Sequence, residues 1–269
     1  MFSFLRNRRR RSGLPAGPLG CRAYAVGDVH GRLDLLRPLL RRIEEDSDAR
    51  PDARTLVVFL GDLVDRGPDS AGVLEFLRHY RPATIEPVFL FGNHEEVMLR
   101  VLGGERAGLL DRWLRYGGKE TLASYGIAPS LLNDLPEREA LEQVIEAVPP
   151  AHVAFLESFA DTFSFGDYLL VHAGLRPGVA LHSQTQEDLH WIREPFLTDS
   201  RDHGQLVVHG HTIVDQVEER PNRLAIDTGA YRSGLLTAIG IQGDQRWLIQ
   251  EQGASVQTDA DRTVETAVP

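Results

Sequence analysis

The sequence is poor in cysteine and in long apolar runs, and each scarcity narrows the class of protein. Cys21 is the single cysteine among 269 residues, so the chain cannot form an intramolecular disulfide, which favours a reducing compartment. No stretch approaches the roughly 18 apolar residues that a membrane helix needs. The basic start is not followed by the apolar segment of a signal peptide. We therefore expect a cytoplasmic location and no transmembrane segment.

Positive charge is also scarce, since 29 basic residues stand against 39 acidic ones, for a formal net charge of -10. Proteins that bind nucleic-acid backbones need a basic excess, so the composition argues against general nucleic-acid binding. A phosphate-binding pocket remains open, because bound metal ions can reverse the local charge. Lys119 is the only lysine, so an arginine within a motif carries less weight than usual.

The chain divides into three parts by composition. Residues 1–20 carry a cluster of arginines and predict a disordered basic arm, whose role the sequence leaves open. Residues 253–269 are polar and predict a flexible tail. Residues 21–252 predict one folded domain, with a helical insertion at about 100–163 that walls a pocket and sets substrate choice.

The first part of this domain alternates strands with helices. Apolar runs at 23–27, 55–60 and 86–91 predict strands, and helical periodicity at 32–46 and 69–80 predicts the helices between them. Such alternation is typical of an α/β core with neighbouring parallel strands. Ligands in such sheets bind beyond the carboxyl ends of the strands.

Five later strands lie in a region with little helix, which predicts a second and more antiparallel sheet. They are expected at 168–172, 206–209, 223–227, 234–241 and 246–251.

Five short polar motifs each follow one of the predicted strands. They are GDVHG at 27–31, GDLVDRG at 61–67, GNHE at 92–95, VHAG at 171–174 and HGHT at 209–212. Aspartate, asparagine and histidine supply oxygen and nitrogen ligands suited to manganese, iron or zinc. Asp28 and His30 are two residues apart, so both side chains can point the same way from an extended strand end. A carboxylate such as Asp62 can bridge two cations, and cations about 3.5–4 Å apart can clamp a phosphoryl group.

Together these motifs resemble the phosphoprotein phosphatase branch of the calcineurin-like metallophosphoesterases, which includes bacterial serine/threonine phosphatases close to diadenosine tetraphosphatases. The motifs occur in the family's order, with 29 residues between the first two and 24 between the second and third. The resemblance implies an α/β fold, an αββα sandwich of two mixed β-sheets flanked by helices.

The resemblance also implies a role for each motif residue. It assigns two divalent metal ions, manganese first, with iron or zinc as alternatives. The implied ligands are Asp28 and His30 for one ion, Asp62 for both, and Asn93, His172 and His211 for the other.

The residues that would act on the substrate follow from the same resemblance. His94 would be the general acid that protonates the leaving oxygen, oriented by Asp65. Arg66 would hold the phosphate, and Arg193 is a second candidate for that role, because a guanidinium suits bidentate phosphate binding. The implied mechanism is direct attack by a metal-bridging hydroxide without a covalent intermediate.

Three functions follow as hypotheses. The leading one is a phosphatase acting on phosphoserine, phosphothreonine or small phosphomonoesters. The second is hydrolysis of dinucleoside polyphosphates, and the third is an inactive scaffold, which the intact set of ligands disfavours. The natural substrate, the native metal and the oligomeric state stay open.

Two positions leave alternatives. Many family members carry arginine directly before GNH, where this chain has Phe91, so the phosphate clamp lacks one charge. His209 competes with His211 as a ligand, and the position before threonine favours His211, which leaves His209 for packing.

Glu95 and Glu96 are expected to favour the start of the following helix rather than to bind metal.

Overall fold

The computed structural model describes residues 13–106 and 108–255, and two β-sheets with flanking helices make up this part of the chain. The strands within it are β1 Cys21–Val26, β2 Arg54–Phe59, β3 Ile85–Phe89, β4 Thr162–Phe165, β5 Tyr168–Val171, β6 Leu206–His209, β7 Glu218–Glu219, β8 Arg223–Ala225, β9 Leu235–Gln242 and β10 Gln245–Gln252.

The α-helices of the described residues alternate with the strands at first and then follow one another. They are α1 Leu33–Asp48, α2 Ser70–His79, α3 Asn93–Leu102, α4 Leu109–Trp113, α5 Lys119–Ser124, α6 Glu137–Ala147, α7 Pro150–Leu156, α8 Gln186–Trp191 and α9 Ala230–Ser233. A kinked turn, Leu114–Gly118, joins α4 to α5, and short 3₁₀ turns lie at Pro129–Leu132 and Leu181–Ser183.

The first sheet has the strand order β10-β9-β1-β2-β3. Strands β1, β2 and β3 are parallel, because α1 and α2 carry the chain back between them. Strands β9 and β10 join antiparallel to β1. The prediction that strands 234–241 and 246–251 belong to the second sheet is therefore wrong. Strand β9 is buried on both faces, so it needs an interior position, which it finds between β1 and β10.

The second sheet has the strand order β4-β5-β6-β8-β7. Its centre, β5-β6-β8, is parallel, and only the edge strands β4 and β7 are antiparallel. The expected antiparallel character thus holds at the edges and is wrong for the centre. Both sheets are mixed, as the family resemblance implies.

Apolar side chains fill the space between the two sheets. Alternate residues of β1 and β2, such as Ala25 and Val58, meet Leu170 and Val208 from the second sheet. The opposite faces of the same strands pack on helices, because successive side chains of a strand point to opposite sides. The α8 region covers the outer face of the second sheet. The layers are helix, sheet, sheet and helix, which confirms the predicted αββα sandwich.

The helices α4 to α7 occupy the segment for which the sequence predicts an insertion. They contact α2 and α3 beside the first sheet. None of the described helices is long and apolar enough to cross a membrane.

The start of the described chain is tied to both sheets. The Tyr168 hydroxyl donates to the Pro15 carbonyl at 2.9 Å, and the Gly17 amide donates to the Gly243 carbonyl at 2.8 Å. The expectation of disorder over residues 1–20 does not fit these positions, and the first 12 residues lie outside the described part of the chain. At the other end the Gly253 amide donates to the Gly234 carbonyl at 2.9 Å, and the predicted tail lies mostly beyond the described residues.

Candidate metal centre

The polar motifs of both sheets meet at one edge of the sandwich. Each motif leaves the carboxyl end of a parallel strand, and β1, β2 and β3 end at the same side as β5 and β6. The predicted ligands all lie within the protein rather than on its surface. Those buried at this edge are Asp28, His30, Asp62, Asn93, His172 and His211.

Backbone strain is concentrated at this edge. Among the described residues, the non-glycine positions with left-handed φ are His30, Asp62, Asp65, Arg66 and His211. Each costs about 1 kcal/mol, because Cβ crowds the following carbonyl oxygen. All five are residues to which the sequence assigns a role in the site. Their side chains are therefore held in place by a strained backbone conformation, which is common at functional positions.

Asp62 stands between two groups of potential metal ligands. One group is His30, Asp62 and His94, and the other is Asp62, His172 and His211. Oδ2 of Asp62 lies 3.5 Å from Nε2 of His30, while Oδ1 lies 3.4 Å from Nε2 of His172. Its two oxygens thus face different groups, which is the arrangement that a bridging carboxylate requires.

Hydrogen bonds to backbone carbonyls fix the tautomers of two histidines. Nδ1 of His30 donates to the Val64 carbonyl at 2.7 Å, and Nδ1 of His172 donates to the Leu60 carbonyl at 2.8 Å. Burial lowers the pKa of both imidazoles, so both are neutral near pH 7. Each Nε2 therefore presents a lone pair to the site, as a metal ligand must.

Acceptor atoms converge around Asn93. Its Oδ1 lies 3.0 Å from Nε2 of His172, whose lone pair points at it, and 3.0 Å from Nδ1 of His211. Nε2 of His211 is buried and has no hydrogen-bond partner among the described residues. The lone pairs of His172 Nε2 and Asn93 Oδ1 face each other without a proton between them, and such an arrangement fits a divalent cation. With the unpartnered Nε2 of His211, the residues present therefore suit the binuclear centre of this kind of site.

Asp28 lies beside the two ligand groups and belongs to neither of them. Its carboxylate accepts a hydrogen bond from the His211 amide at 3.0 Å. Burial, followed by the nearby Asp227, raises its pKa well above the usual range. Burial also raises the pKa of Asp227 to about 6. Adjacent buried carboxylates of this kind are stabilised by a bound cation.

Sequence reasoning missed Asp227. The residue follows strand β8 in the run Asp227-Thr228-Gly229, and its Oδ1 accepts from the Gly229 amide at 2.8 Å. The same signal that identified the other motifs, an apolar strand followed by aspartate and glycine, would have found it.

The charge on Asp62 is favoured by its neighbours. Burial alone would raise its pKa, but His172, His94 and His30 outweigh that effect and hold the pKa below the usual range. The pKa of Asp62 is thus shifted in the opposite direction to the pKa values of Asp28 and Asp227.

His94 and Asp65 form the expected pair. Nδ1 of His94 lies 2.6 Å from Oδ2 of Asp65, and both side chains are buried. The hydrogen bond turns Nε2 of His94 towards Asp62, at 3.9 Å from its Oδ2. A histidine held in this way can deliver a proton at the point where the two ligand groups meet.

The two candidate phosphate-binding residues, Arg66 and Arg193, lie near the ligand groups. Arg66 donates through Nη1 to Nε2 of His30 at 3.1 Å, and its guanidinium lies 4.9 Å from the ring centre of Tyr231. Partial burial and then the charge of Arg66 lower the pKa of Arg193, which places the two cations near each other. Two neighbouring guanidinium groups can together bind an anion.

Glu95 does more than favour the start of α3. Its carboxylate accepts from the amides of Asp62 at 2.8 Å, Leu63 at 2.7 Å and Gly92 at 2.9 Å. The turns after β2 and β3 are thereby joined, and a Cβ on Gly92 would overlap the Asp62 carboxylate. The expectation that Glu95 favours the start of α3 is confirmed, because its carboxylate accepts from the amide of Gly92 at the helix N-terminus. The side chain also folds back onto the turn after β2.

The structure separates His209 from His211. His209 packs edge-on against Phe196 with ring centres 5.1 Å apart, and burial lowers its pKa to about 4. It belongs to neither ligand group, which agrees with the choice of His211. Phe91 is stacked on His190 with ring centres 5.6 Å apart and also meets Phe159, so an aromatic cluster stands where many relatives carry arginine.

An αββα sandwich with carboxylate and histidine ligands at its strand ends defines a class of protein, the metal-dependent phosphoester hydrolases. The sequence profile of one family, calcineurin-like phosphoesterase, matches residues 21–235. The chain belongs to this family.

Relatives with known names fall into two groups. Serine/threonine-protein phosphatase 1 of Salmonella typhimurium is 28% identical over 227 residues, covering 81% of this chain and 91% of the relative. The symmetrical bis(5'-nucleosyl)-tetraphosphatase of Legionella pneumophila strain Corby is 28% identical over 286 residues, covering 86% and 98%. The names thus support a phosphatase and leave its substrate undecided.

Solved structures agree on the fold. A protein proposed to be a diadenosine tetraphosphatase superposes with a TM-score of 0.62 at 19% identity, over 90% of this chain and all of that one. A serine/threonine phosphatase from Saccharomyces cerevisiae gives 0.53 at 14% identity, over 88% and 82%.

Proposed function

We propose that the protein hydrolyses phosphomonoesters of the phosphoserine or phosphothreonine kind, or small alkyl phosphates. The observation that carries this proposal is the pair His94 and Asp65, with Nδ1 and Oδ2 2.6 Å apart beside the two ligand groups. An alkoxide is a poor leaving group and needs a proton as the P–O bond breaks. A positioned general acid supplies that proton and contributes about 100-fold or more to the rate.

The remaining residues bind and orient the substrate. Arg66 and Arg193 would hold two phosphoryl oxygens, because guanidinium groups form charge-assisted pairs with phosphate. Asp28, His30, Asp62, Asn93, His172 and His211 would hold two divalent cations, for which we propose manganese. Such cations stabilise charge on phosphoryl oxygens and make water nucleophilic near neutral pH. His94, fixed by Asp65, would then place its proton on the departing oxygen.

A dinucleoside polyphosphate hydrolase is the second candidate, and Phe91 favours it. The aromatic cluster of Phe91, Phe159 and His190 leaves the clamp with two arginines where many relatives have three. A nucleotide leaving group is stable as an anion and gains little from a proton donor, so the His94 and Asp65 pair weighs against this candidate.

Initial rates with Mn²⁺ on a phosphothreonine peptide and on diadenosine tetraphosphate test the proposal. Faster turnover of the peptide is expected, and His94→Asn should lower that rate by about 100-fold or more. His79→Asn, an exposed histidine on α2, is the matched control and should keep the wild-type rate. Faster turnover of the nucleotide, with little effect of His94→Asn, would assign the protein to the second candidate.

A further inference from the structure

The carboxylate of Asp65 is held by the helical insertion as well as by His94. Nε1 of Trp113, at the end of α4, donates to both carboxylate oxygens, at 3.1 Å to Oδ1 and 3.0 Å to Oδ2. The hydroxyl of Thr121, on α5, lies 2.7 Å from Oδ1 and donates to it. All three side chains are buried, so no solvent competes for these bonds.

Thr121 also fixes the backbone of Asp65. The Asp65 amide donates to Oγ1 of Thr121 at 2.9 Å and to Oγ of Ser70 at 3.0 Å. The hydroxyl of Thr121 therefore forms hydrogen bonds with both the backbone amide and the carboxylate of Asp65. Asp65 has a left-handed φ of 71°, a conformation that an aspartate keeps only when its surroundings impose it.

The kinked turn Leu114–Gly118 holds Arg66, the residue after Asp65. The Arg66 amide donates to the Gly117 carbonyl at 3.0 Å, and Arg66 is left-handed as well, with φ 66°. Gly117 has a φ of 114°, and a Cβ there would lie 2.6 Å from both the amide and Cγ of Arg66. Only glycine allows the insertion to approach the catalytic turn this closely.

We propose that Trp113 and Thr121 are positioning residues for proton transfer, which act on His94 through Asp65. Two donors fix the rotation of the Asp65 carboxylate, and the carboxylate in turn fixes the ring of His94 and the direction of its Nε2. This inference rests on the proposed function. It gives the insertion a part in the chemistry, beyond that of a wall that selects substrates.

The chemistry of the leaving group distinguishes this role from a structural one. A misplaced proton donor slows hydrolysis of a phosphothreonine peptide, which has an alkoxide leaving group. It barely affects p-nitrophenyl phosphate, whose phenolate leaves without a proton. Loss of packing or of metal ligands would slow both substrates alike.

The test compares Trp113→Phe, which keeps an aromatic ring and removes the N–H donor, with the wild-type protein loaded with Mn²⁺. We expect kcat on the peptide to fall about 10-fold, as is common when a supporting hydrogen bond to a catalytic group is lost. We expect KM for both substrates and kcat on p-nitrophenyl phosphate to stay within about 2-fold. Trp247→Phe is the matched control, because Nε1 of Trp247 donates to Oδ2 of Asp46 at 2.9 Å in a different part of the protein.

A second variant guards against a folding defect. Thr121→Val removes the hydroxyl at nearly constant volume and should reproduce the pattern, while Thr121→Ser restores the donor and should restore the peptide rate. Thermal unfolding of each variant shows whether it is folded. Combined with His94→Asn, Trp113→Phe should cause no further loss, because its effect passes through His94.

Equal losses on the two substrates, or a full additional loss in the His94→Asn background, would overturn the inference while the proposed function stands. A wild-type protein that hydrolyses neither monoester would overturn the proposed function and the inference with it.

Discussion

Glu95 and Asp62 are joined by a hydrogen bond of 2.8 Å from the Asp62 amide to the Glu95 carboxylate, across two turns that come from different strands. Asp62 has a left-handed φ of 50°, and the bond holds its backbone in that conformation. Asp62 belongs to both ligand groups, so Glu95 holds the proposed bridging ligand in position through its backbone without being a member of either group.

Glu95→Gln should weaken both the fold and the metal site. The glutamine side chain would point its NH₂ group at backbone N–H groups that donate to Glu95 in the wild-type protein, so at least one hydrogen bond is lost. The free energy of unfolding should therefore fall by about 2 kcal/mol. Mn²⁺ affinity should fall too, because Asp62 loses its support. Urea unfolding of the metal-free protein and calorimetric titration with Mn²⁺ measure the two effects. Glu139→Gln, at an exposed site on α6, is the control, and a variant indistinguishable from it would contradict this role.

Asp62→Asn should abolish activity and leave the fold intact. A neutral amide cannot bridge two cations, so we expect turnover to fall by more than about 100-fold and the bound metal to drop below that of the wild-type protein. Metal content by mass spectrometry and circular dichroism check the two statements. The exposed Asp48→Asn is the control. Normal turnover by Asp62→Asn would rule out the two-metal interpretation.

Phe91→Arg should strengthen binding of a phosphomonoester. The new guanidinium would add a charge-assisted hydrogen bond to the clamp of Arg66 and Arg193, so KM for the phosphothreonine peptide should fall about 10-fold. Stability should fall by about 1 kcal/mol, since the aromatic contacts with Phe159 and His190 are lost. Phe91→Leu loses the same contacts without adding charge. If KM is the same in the two variants, position 91 does not face the phosphate.

His209 should make the fold sensitive to mild acid. Burial lowers its pKa to about 4 from an ordinary value of 6.5, so the unfolded chain takes up a proton in this interval and the folded chain does not. The contribution of neutral His209 to the free energy of unfolding is therefore fully present above pH 6.5, and it declines as the pH falls towards 4. The decline attributable to His209 is about 3 kcal/mol.

His209→Gln tests this origin. In urea unfolding of metal-free protein between pH 4 and 7, the variant should show a shallower decline than the wild-type chain. His79→Gln removes an exposed histidine on α2 and should change nothing. Parallel pH curves for His209→Gln and the wild-type protein would place the acid sensitivity elsewhere.

The sequence predicts the layers of this fold better than it predicts which strand joins which sheet. Strand β9 reads as a strand from its apolar run, but its pairing with β1 depends on long-range packing that periodicity does not contain. The motif residues could be found because each follows an apolar strand in a recognisable order. Trp113 and Thr121 could not, since they contact Asp65 from helices roughly 50 residues away, a separation set by tertiary structure.

The five non-glycine residues with left-handed φ lower the stability of the fold, and all five lie at the proposed site. They are His30, Asp62, Asp65, Arg66 and His211. Glycine adopts that conformation without steric penalty, so at these positions it would relieve backbone strain. The same substitution would remove a proposed metal ligand, the partner of the proposed proton donor or a proposed phosphate-binding arginine. A library selected only for thermal resistance would therefore be expected to lose the site before the fold. The strained backbone at these five positions is thus the consequence of placing aspartate, histidine and arginine side chains at the proposed site.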